Sequence, residues 1–186
     1  MAYANPARIK LHEHQFVPFL TPTEIQLRVV ELGQELALSH GSGKPSFLVM
    51  LKGAFIFAAD LIRASGLGGE IGFVRTQSYK GTETSGEVRM HIAPEPELVT
   101  DQDVILIEDI IDSGNTMQAF LPILAALKPR SVTVVTLLHK PEAQQVDVQL
   151  DLAGFVIPPK FVVGYGLDYD GLGRQLPGIY QLAEDY

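Results

Sequence analysis

Cysteine is absent from this chain of 186 residues. Its absence excludes disulfide frameworks, thiolate metal sites and cysteine nucleophiles. The opening stretch, MAYANPARIKLHEHQF, lacks the continuous apolar core of a secretory signal, and no apolar run elsewhere is long enough to cross a bilayer. We therefore expect a cytoplasmic protein that has no membrane partner.

Clusters of basic residues are also missing. The chain carries 14 Lys and Arg against 22 Asp and Glu, which gives a net charge of −8 at pH 7. A protein whose main task is to bind nucleic acid needs clustered Lys and Arg to neutralise phosphates. The composition therefore argues against a nucleic-acid partner, although it is compatible with a local basic pocket for a small phosphorylated ligand.

Apolar residues, by contrast, are plentiful. They make up 46% of the chain and charged residues only 19%, so a sizeable core is expected and global disorder is not. The length fits a single domain, and no internal repeat or low-complexity tract is visible.

Apolar segments with strand character alternate with segments of helical periodicity. The predicted strands are PSFLVMLKG, EIGFVRTQSY, DVILIED and SVTVVTLLHK, and the predicted helices are TPTEIQLRVVELGQELALSH, FIFAADLIRASG and MQAFLPILAALK. We place the N-cap of the first helix at Thr23. Pro122 lies inside the third predicted helix, which must therefore start after Met117 or bend. The alternation predicts an α/β fold with right-handed crossovers and a mainly parallel sheet.

Residues 80–102 form a polar stretch that is long for a connection inside a compact domain. Long loops of this kind are usually functional lids or disordered linkers. The apolar residues Val88, Met90 and Ile92 alternate with polar ones, so part of the stretch is expected to form a hairpin arm.

The segment LIEDIIDSGNTM, residues 106–117, combines two kinds of chemistry. The loop after the strand offers small residues whose backbone N–H groups, with the hydroxyls of Ser113 and Thr116, can surround a phosphate at a helix N-terminus. The acid pair Glu108 and Asp109 at the strand end can accept hydrogen bonds from neighbouring sugar hydroxyls and influence a divalent cation nearby. Together they describe a site for a 5-phosphoribosyl group.

A plainer interpretation of the same segment is a solvated turn capped by Asp112 or Ser113. Two acids directly after a buried strand, however, carry a desolvation cost unless they bind something. That cost favours the ligand site over the simple turn.

The segment resembles the phosphoribosyl-diphosphate motif of the type I phosphoribosyltransferases. The blocks LKGAFIFAADLIR, SYKGTETSGEVR, LLHKP and KFVVGYGLDYDGLGRQLPGIY resemble, in the same order, those of the hypoxanthine–guanine phosphoribosyltransferases. The last block distinguishes this group from orotate, uracil and adenine relatives. The resemblance implies one domain over residues 1–186, with a twisted, mainly parallel sheet flanked by helices and a flexible lid loop. The core would span about 23–158, and residues 1–22 and 159–186 would form a small hood.

The resemblance also implies an activity in purine salvage. The enzyme would transfer the 5-phosphoribosyl group from 5-phospho-α-D-ribose 1-diphosphate to hypoxanthine and to guanine, releasing pyrophosphate. Its partners would be these small molecules and Mg²⁺, with Glu108, Asp109 and Asp168 at the metal. Relatives are usually dimers or tetramers, so a homodimer or homotetramer is expected.

The resemblance assigns the phosphoribosyl diphosphate to a large set of residues. The backbone N–H groups of Lys52 and Gly53 would bind pyrophosphate, and relatives often have a cis peptide at this step. Ser78 and Tyr79 would lie on the lid. The full set is Lys52, Gly53, Ser78, Tyr79, Glu108, Asp109, Asp112, Ser113, Gly114, Asn115, Thr116 and Arg174.

The purine is assigned to a second set. Asp112 would be the general base at N7, and Lys140 would donate to O6 and so select 6-oxopurines against adenine. Phe161 would stack on the ring, the Val162 backbone would contact its N1 and N2 edge, and Lys160 would lie close by. The set is Lys140, Lys160, Phe161, Val162 and Asp168, with Asp168 acting through metal and water.

Simpler roles exist for several of these residues. Lys52 and Gly53 could be a strand-ending turn, Phe161 and Val162 ordinary core, and Asp168 a turn residue. Residues 80–102 could be a plain surface loop, and we assign His139 a structural role.

The chain departs from the family pattern in three places. Asn115 stands where many relatives have Lys or Arg, PEAQQVDVQL is acidic where some are basic, and the chain ends soon after Tyr180. Three other functions stay open: a xanthine-preferring or broad 6-oxopurine enzyme, an RNA-binding regulator on the same fold, and a purely structural domain.

Overall fold

The computed structural model describes residues 7–78 and 88–183, with the backbone alone for residues 77, 78, 88 and 89. Its larger sheet has six strands. They are β3 (Ser46–Met50), β4 (Ile71–Ser78), β5 (Val88–Ile92), β6 (Asp103–Ile111), β7 (Ser131–His139) and β8 (Leu152–Val156).

The strand order in this sheet is β5-β4-β3-β6-β7-β8. Every neighbouring pair is parallel except β4 and β5, which pair antiparallel. The structure therefore confirms the predicted α/β class and mainly parallel sheet. The strand β5 is the arm expected from the alternation of Val88, Met90 and Ile92.

Three helices cover the two faces of this sheet. They are α1 (Pro22–His40), α2 (Phe55–Ser65) and α3 (Asn115–Ala126). One buried cluster joins α1 and α2 to residues such as Phe47 and Ile105, while the other joins α3 to residues such as Leu48 and Leu106. Because side chains alternate across a strand, each central strand serves both clusters, which explains its uninterrupted apolar sequence.

The N-cap of helix α1 lies two residues before the predicted position. Thr21, not Thr23, is its N-cap: the Thr21 hydroxyl accepts from the Glu24 backbone N–H, and the Glu24 carboxylate accepts from the Thr21 N–H at 2.8 Å. The prediction of Thr23 was wrong because Pro22 occupies the first helical position, where a missing N–H costs nothing.

The other predicted boundaries also shift at the edge where the central strands end. Strand β6 continues to Ile111, so Glu108 and Asp109 lie within the strand rather than at its end. Helix α3 begins at Asn115, before Met117, and contains Pro122 in its interior. Of the two alternatives that Pro122 left open, a later start and a bend, the structure excludes the later start.

A second, smaller sheet is built from both ends of the chain. Its strands are β1 (Ile9–Leu11), β2 (His14–Leu20), β9 (Val162–Val163) and β10 (Ile179–Leu182), all antiparallel in the order β1-β2-β10-β9. Phe16, Val163 and Tyr180 form its buried centre. In the described part of the chain, no helix is long and apolar enough to cross a membrane.

Candidate active site

The carboxyl ends of β3, β6 and β7 meet at one edge of the larger sheet, because parallel strands end on the same side. A cavity of about 230 Å³ opens there. Its polar lining includes Glu108, Asp109, Asp112, Ser113 and Thr116. The acids and hydroxyls of the 106–117 segment therefore face a common space, as the sequence predicted.

The acid pair consists of one buried and one half-buried carboxyl. Glu108 is 8% exposed, and its side chain accepts a hydrogen bond from the Asp109 backbone N–H at 3.2 Å. Burial, followed by the neighbouring charge of Asp109, raises the pKa of Glu108 well above its ordinary value. A buried acid with a perturbed pKa in a cavity is typical of a ligand site, since a bound cation would offset its desolvation.

The turn after β3 approaches this pair closely. A Cβ atom placed on Gly53 would lie only 1.4 Å from Asp109 Oδ2, so no other residue fits there without moving the acid. A cis peptide bond joins Leu51 to Lys52 at the entry to the turn. The side chain of Lys52 is exposed. The structure thus brings the predicted pyrophosphate turn against the predicted ribose acids.

The loop between β6 and α3 leads directly into a helix N-terminus. Gly114 has φ of +84°, which favours glycine, and α3 starts at the next residue. The first N–H groups of a helix have no partner within it, so they are available to an anion. The Asn115 N–H lies 3.4 Å from Ser113 Oγ.

The polar segment after β7 supports that loop, a role that sequence reasoning missed. The Gln145 N–H donates to the Ser113 carbonyl at 2.9 Å, and the Asn115 amide donates to Gln145 Oε1 at 3.4 Å. A Cβ on Gly114 would lie 2.7 Å from Val148 Cγ2. No local pattern predicts these contacts, because the partners lie about thirty residues apart.

Asp112 and Lys140 form an ion pair. Lys140 Nζ lies 2.7 Å from Asp112 Oδ2, and Lys140 is 6% exposed whereas Asp112 is exposed. The Lys140 backbone N–H also donates to the Ile111 carbonyl at 2.9 Å. A buried ammonium needs such a partner, so the two residues predicted to contact the base depend on each other.

The C-terminal loop adds a cation and a second acid. Arg174 lies 2.6 Å from Asp168 Oδ1 and donates to the Gly166 carbonyl at 2.7 Å. Asp168 Oδ2 accepts from the Gly171 N–H at 2.8 Å. A Cβ on Gly166 would lie 2.0 Å from the Gly53 carbonyl, so this loop packs directly on the pyrophosphate turn.

The predicted purine-stacking residue lies in an aromatic group. The Phe161 side chain is 47% exposed and meets Tyr169 edge-on, with ring centroids 5.7 Å apart. The Tyr169 hydroxyl donates to Glu13 in the turn between β1 and β2. Tyr169 was not predicted, because its partner is far away in the sequence. Lys160 is half-buried and precedes Phe161, and Val162 is buried in β9.

Some predicted residues lie away from the cavity or beyond the described structure. Ser78 ends β4, with its backbone alone described, and Tyr79 lies outside the described residues. The Asn115 side chain points to Gln145. His139 contacts Gln144 at 3.0 Å, as expected of a structural residue. Within residues 7–78 and 88–183, no group of three or more His, Asp or Glu is arranged to hold a metal.

Comparison with known proteins agrees with this fold. Residues 25–170 match the phosphoribosyl transferase domain, so the chain belongs to that family. A relative from Buchnera aphidicola, a hypoxanthine phosphoribosyltransferase, is 38% identical over 170 residues that span 90% of this chain and 96% of the relative.

Two solved structures of hypoxanthine phosphoribosyltransferases have the same fold. The hypoxanthine phosphoribosyltransferase of Staphylococcus aureus is 36% identical, with a TM-score of 0.82 over 89% of this chain and 90% of that one. The hypoxanthine phosphoribosyl transferase of Trypanosoma cruzi is 30% identical, with a TM-score of 0.84 over 94% and 95%.

Proposed function

We propose that this protein is a hypoxanthine phosphoribosyltransferase of purine salvage that also accepts guanine. It would join N9 of the base to C1 of 5-phospho-α-D-ribose 1-diphosphate and release pyrophosphate, giving IMP or GMP. The observation that carries the proposal is the shared cavity, in which an acid pair and a hydroxyl-lined loop lie together.

The two ends of the cavity suit the two ends of a ribose phosphate. The 5-phosphate would accept hydrogen bonds from the loop of Ser113, Gly114, Asn115 and Thr116 at the start of α3. The ribose hydroxyls would donate to the carboxylates of the acid pair. Such contacts hold C1 in one orientation for attack.

The leaving pyrophosphate would lie between the turn of Lys52 and Gly53 and the C-terminal loop. Gly166 packs on Gly53, and the Arg174 guanidinium is held next to Gly166. Positive charge fixed beside the leaving group stabilises the charge that develops there. Closure of a lid carrying Ser78 and Tyr79 would exclude water from the reacting centre.

The acids of the site fit Mg²⁺ as cofactor. Carboxylate oxygens are the ligands that Mg²⁺ prefers, and it commonly keeps waters and substrate phosphate oxygens in its shell. Glu108 and Asp109, which line the cavity, are the residues that would hold this ion. Both oxygens of Asp168 already accept hydrogen bonds, so Asp168 would act through water. When bound, Mg²⁺ supplies positive charge to the leaving group.

The base would bind between Phe161 and the Asp112–Lys140 pair. Lys140 would donate to O6, Lys160 would approach the ring, and the Val162 backbone would contact the opposite edge. Asp112 would take the proton that N7 loses as the bond to N9 forms. Adenine would present an amino group to the Lys140 ammonium, donor against donor, and would be rejected.

The whole chain would form one phosphoribosyltransferase domain, with its core at about 23–158 and its hood from 1–22 and 159–186. We place it in the cytoplasm, as a homodimer or homotetramer. The Trypanosoma cruzi relative was solved in a study of its oligomeric state. Light scattering of the purified protein tests the number of subunits.

The direct test is pyrophosphate release on mixing protein, Mg²⁺, 5-phospho-α-D-ribose 1-diphosphate and hypoxanthine. Release that requires all components supports the proposal, and no release overturns it. Competition among hypoxanthine, guanine and xanthine then decides the base preference. A preference for xanthine would replace hypoxanthine as the named substrate.

Asp112→Asn should lower kcat by about 10²-fold to 10⁴-fold, the usual contribution of a general base. The amide still accepts a hydrogen bond from Lys140, so the variant should fold and bind phosphoribosyl diphosphate as the wild type does. Steady-state kinetics and calorimetry measure the two effects. An unchanged kcat would show that Asp112 is not the base.

A further inference from the structure

Tyr165 is buried where the C-terminal loop meets α2, outside the lining of the cavity. Its hydroxyl donates to Asp60 Oδ2 at 2.5 Å, and the residue is 7% exposed. Burial, and then the hydrogen bond to Asp60, raises the pKa of Tyr165, so the hydroxyl keeps its proton and remains a donor. The partners are 105 residues apart, and this bond ties two separate parts of the chain together.

The backbone of Tyr165 has a conformation that a bulky residue rarely adopts. Tyr165 and Gly166 occupy the two central positions of a tight turn closed by Gly164 and Leu167, with φ of +48° and +106°. Positive φ at both central positions normally selects Asn, Asp or Gly. A tyrosine there costs free energy that other contacts must offset, and such positions cluster at functional sites.

The turn carries residues that approach the pyrophosphate region. Gly166 packs on the Gly53 carbonyl, and its own carbonyl accepts from the Arg174 guanidinium. On the other side, Asp60 lies on α2, which begins two residues after Gly53. The Tyr165–Asp60 bond is therefore a second connection between the C-terminal loop and the segment that starts at Gly53, where pyrophosphate would bind.

We propose that Tyr165 and Asp60 are positioning residues for the pyrophosphate end of the substrate. Their hydrogen bond holds the Gly164–Leu167 turn against α2, and so fixes Gly166 and the Arg174 guanidinium relative to Gly53. Neither residue touches the substrate. This inference rests on the proposed phosphoribosyl transfer. The experiment below distinguishes a failure of the positioning role from a failure of the proposed transfer.

The test compares the two substrates in steady-state kinetics. Tyr165→Phe removes only the hydroxyl, and Asp60→Leu removes the acceptor. For each variant, the KM for phosphoribosyl diphosphate and the inhibition constant of pyrophosphate should rise about tenfold, the scale of one lost hydrogen bond to a charged acceptor. The KM for hypoxanthine should stay within about twofold, because Asp112 and Lys140, which would contact the base, follow β6 and β7 and lie outside this turn.

Two further variants separate the hydrogen bond from other roles of Asp60. Asp60→Asn keeps the size and an acceptor, so it should fold and show an intermediate rise of about threefold, as expected for a neutral acceptor. Arg63→Gln removes the ion pair that Asp60 makes with exposed Arg63, and it should behave as the wild type. Tyr165→Phe combined with Asp60→Leu should be no worse than either change alone.

The outcomes are distinct. A wild-type protein without pyrophosphate release overturns the proposed function, and this inference with it. An active wild type with unchanged constants in Tyr165→Phe, or with equal rises for both substrates, overturns the positioning role alone. If Arg63→Gln is as impaired as Asp60→Leu, the positioning role is also overturned. Far-UV circular dichroism verifies that the compared variants are folded.

Discussion

Glu108 is a buried acid whose next neighbour along β6, Asp109, is also an acid. Its raised pKa means that the folded protein binds this proton more tightly than the unfolded chain does. The stabilisation is therefore fully present below the ordinary pKa of 4.5 and is lost as pH rises through the higher folded value. In the absence of a cation, ionised Glu108 destabilises the fold.

Glu108→Gln should stabilise the ligand-free protein more at about pH 8 than at about pH 4, because glutamine keeps the acceptor for the Asp109 N–H but cannot ionise. Urea unfolding across this range measures the difference from wild type, with Glu142→Gln, an exposed glutamate, as control. A difference that does not change with pH would contradict the assigned burial cost.

Contacts between residues that are close in the sequence were easier to predict than contacts between distant residues. The acid pair and the hydroxyls of the 112–116 loop are adjacent in sequence, so their common site was predicted. Lys140 was assigned to the base through the family resemblance, and the structure shows its ion pair with Asp112, 28 residues away in the sequence. Such a bond depends on the register of β6 and β7, which places Ile111 beside His139.

At the scale of elements, the start of α1 allows a clean comparison of two threonines. Thr21→Ala should reduce the free energy of unfolding by about 1 kcal/mol, because the capping hydroxyl is lost. Thr23→Ala, the position first predicted as the cap, should change it by less than about 0.5 kcal/mol, since Thr23 is an exposed helical residue. Chemical denaturation of both variants measures the difference, and equal losses would refute the observed capping box.

The turn between β3 and α2 is constrained by its approach to β6. Gly53→Ala should destabilise the protein by about 2 kcal/mol or more and abolish most turnover, since its methyl group would displace the Asp109 carboxylate. Gly68→Ala is the control, because a Cβ there meets nothing within 4 Å. Denaturation and kinetics report the two effects. Full activity in Gly53→Ala would mean that Asp109 does not need its observed position.

Element boundaries were harder to predict than element types. All four predicted core strands and three helices are present, since their apolar periodicity is long and regular. The ends of β6 and α3 differ from the prediction because a polar residue does not end an element when its backbone still pairs. Glu108, for example, stays in register with Thr136 of β7.

At the scale of the whole molecule, one apolar cluster joins the larger sheet to the smaller one. The cluster that contains α1 and α2 also includes Val162, Tyr165, Leu167 and Ile179 from the C-terminal part of the chain. Contact of this extent predicts that the larger and smaller sheets unfold together. The site at their junction would then be assembled and lost in a single transition.

A two-probe experiment tests this cooperativity. The tyrosines in the described residues, Tyr165, Tyr169 and Tyr180, all lie in the C-terminal part, whereas α1, α2 and α3 all pack on the larger sheet. Near-UV circular dichroism of tyrosine and far-UV circular dichroism of helix should therefore report the same urea midpoint. Two separate midpoints would show that the smaller sheet unfolds independently.

The sequence by itself determined the α/β class and the order of the core elements, and it predicted phosphoribosyl chemistry for the 106–117 segment. These properties depend on periodicity and on residues close together in the chain, where local geometry is enough. Only the tertiary structure decided that Gly53 touches Asp109, that Lys140 pairs with Asp112, and that Tyr165 reaches Asp60. Such contacts join distant segments, so they depend on strand register and helix packing, which no local pattern encodes.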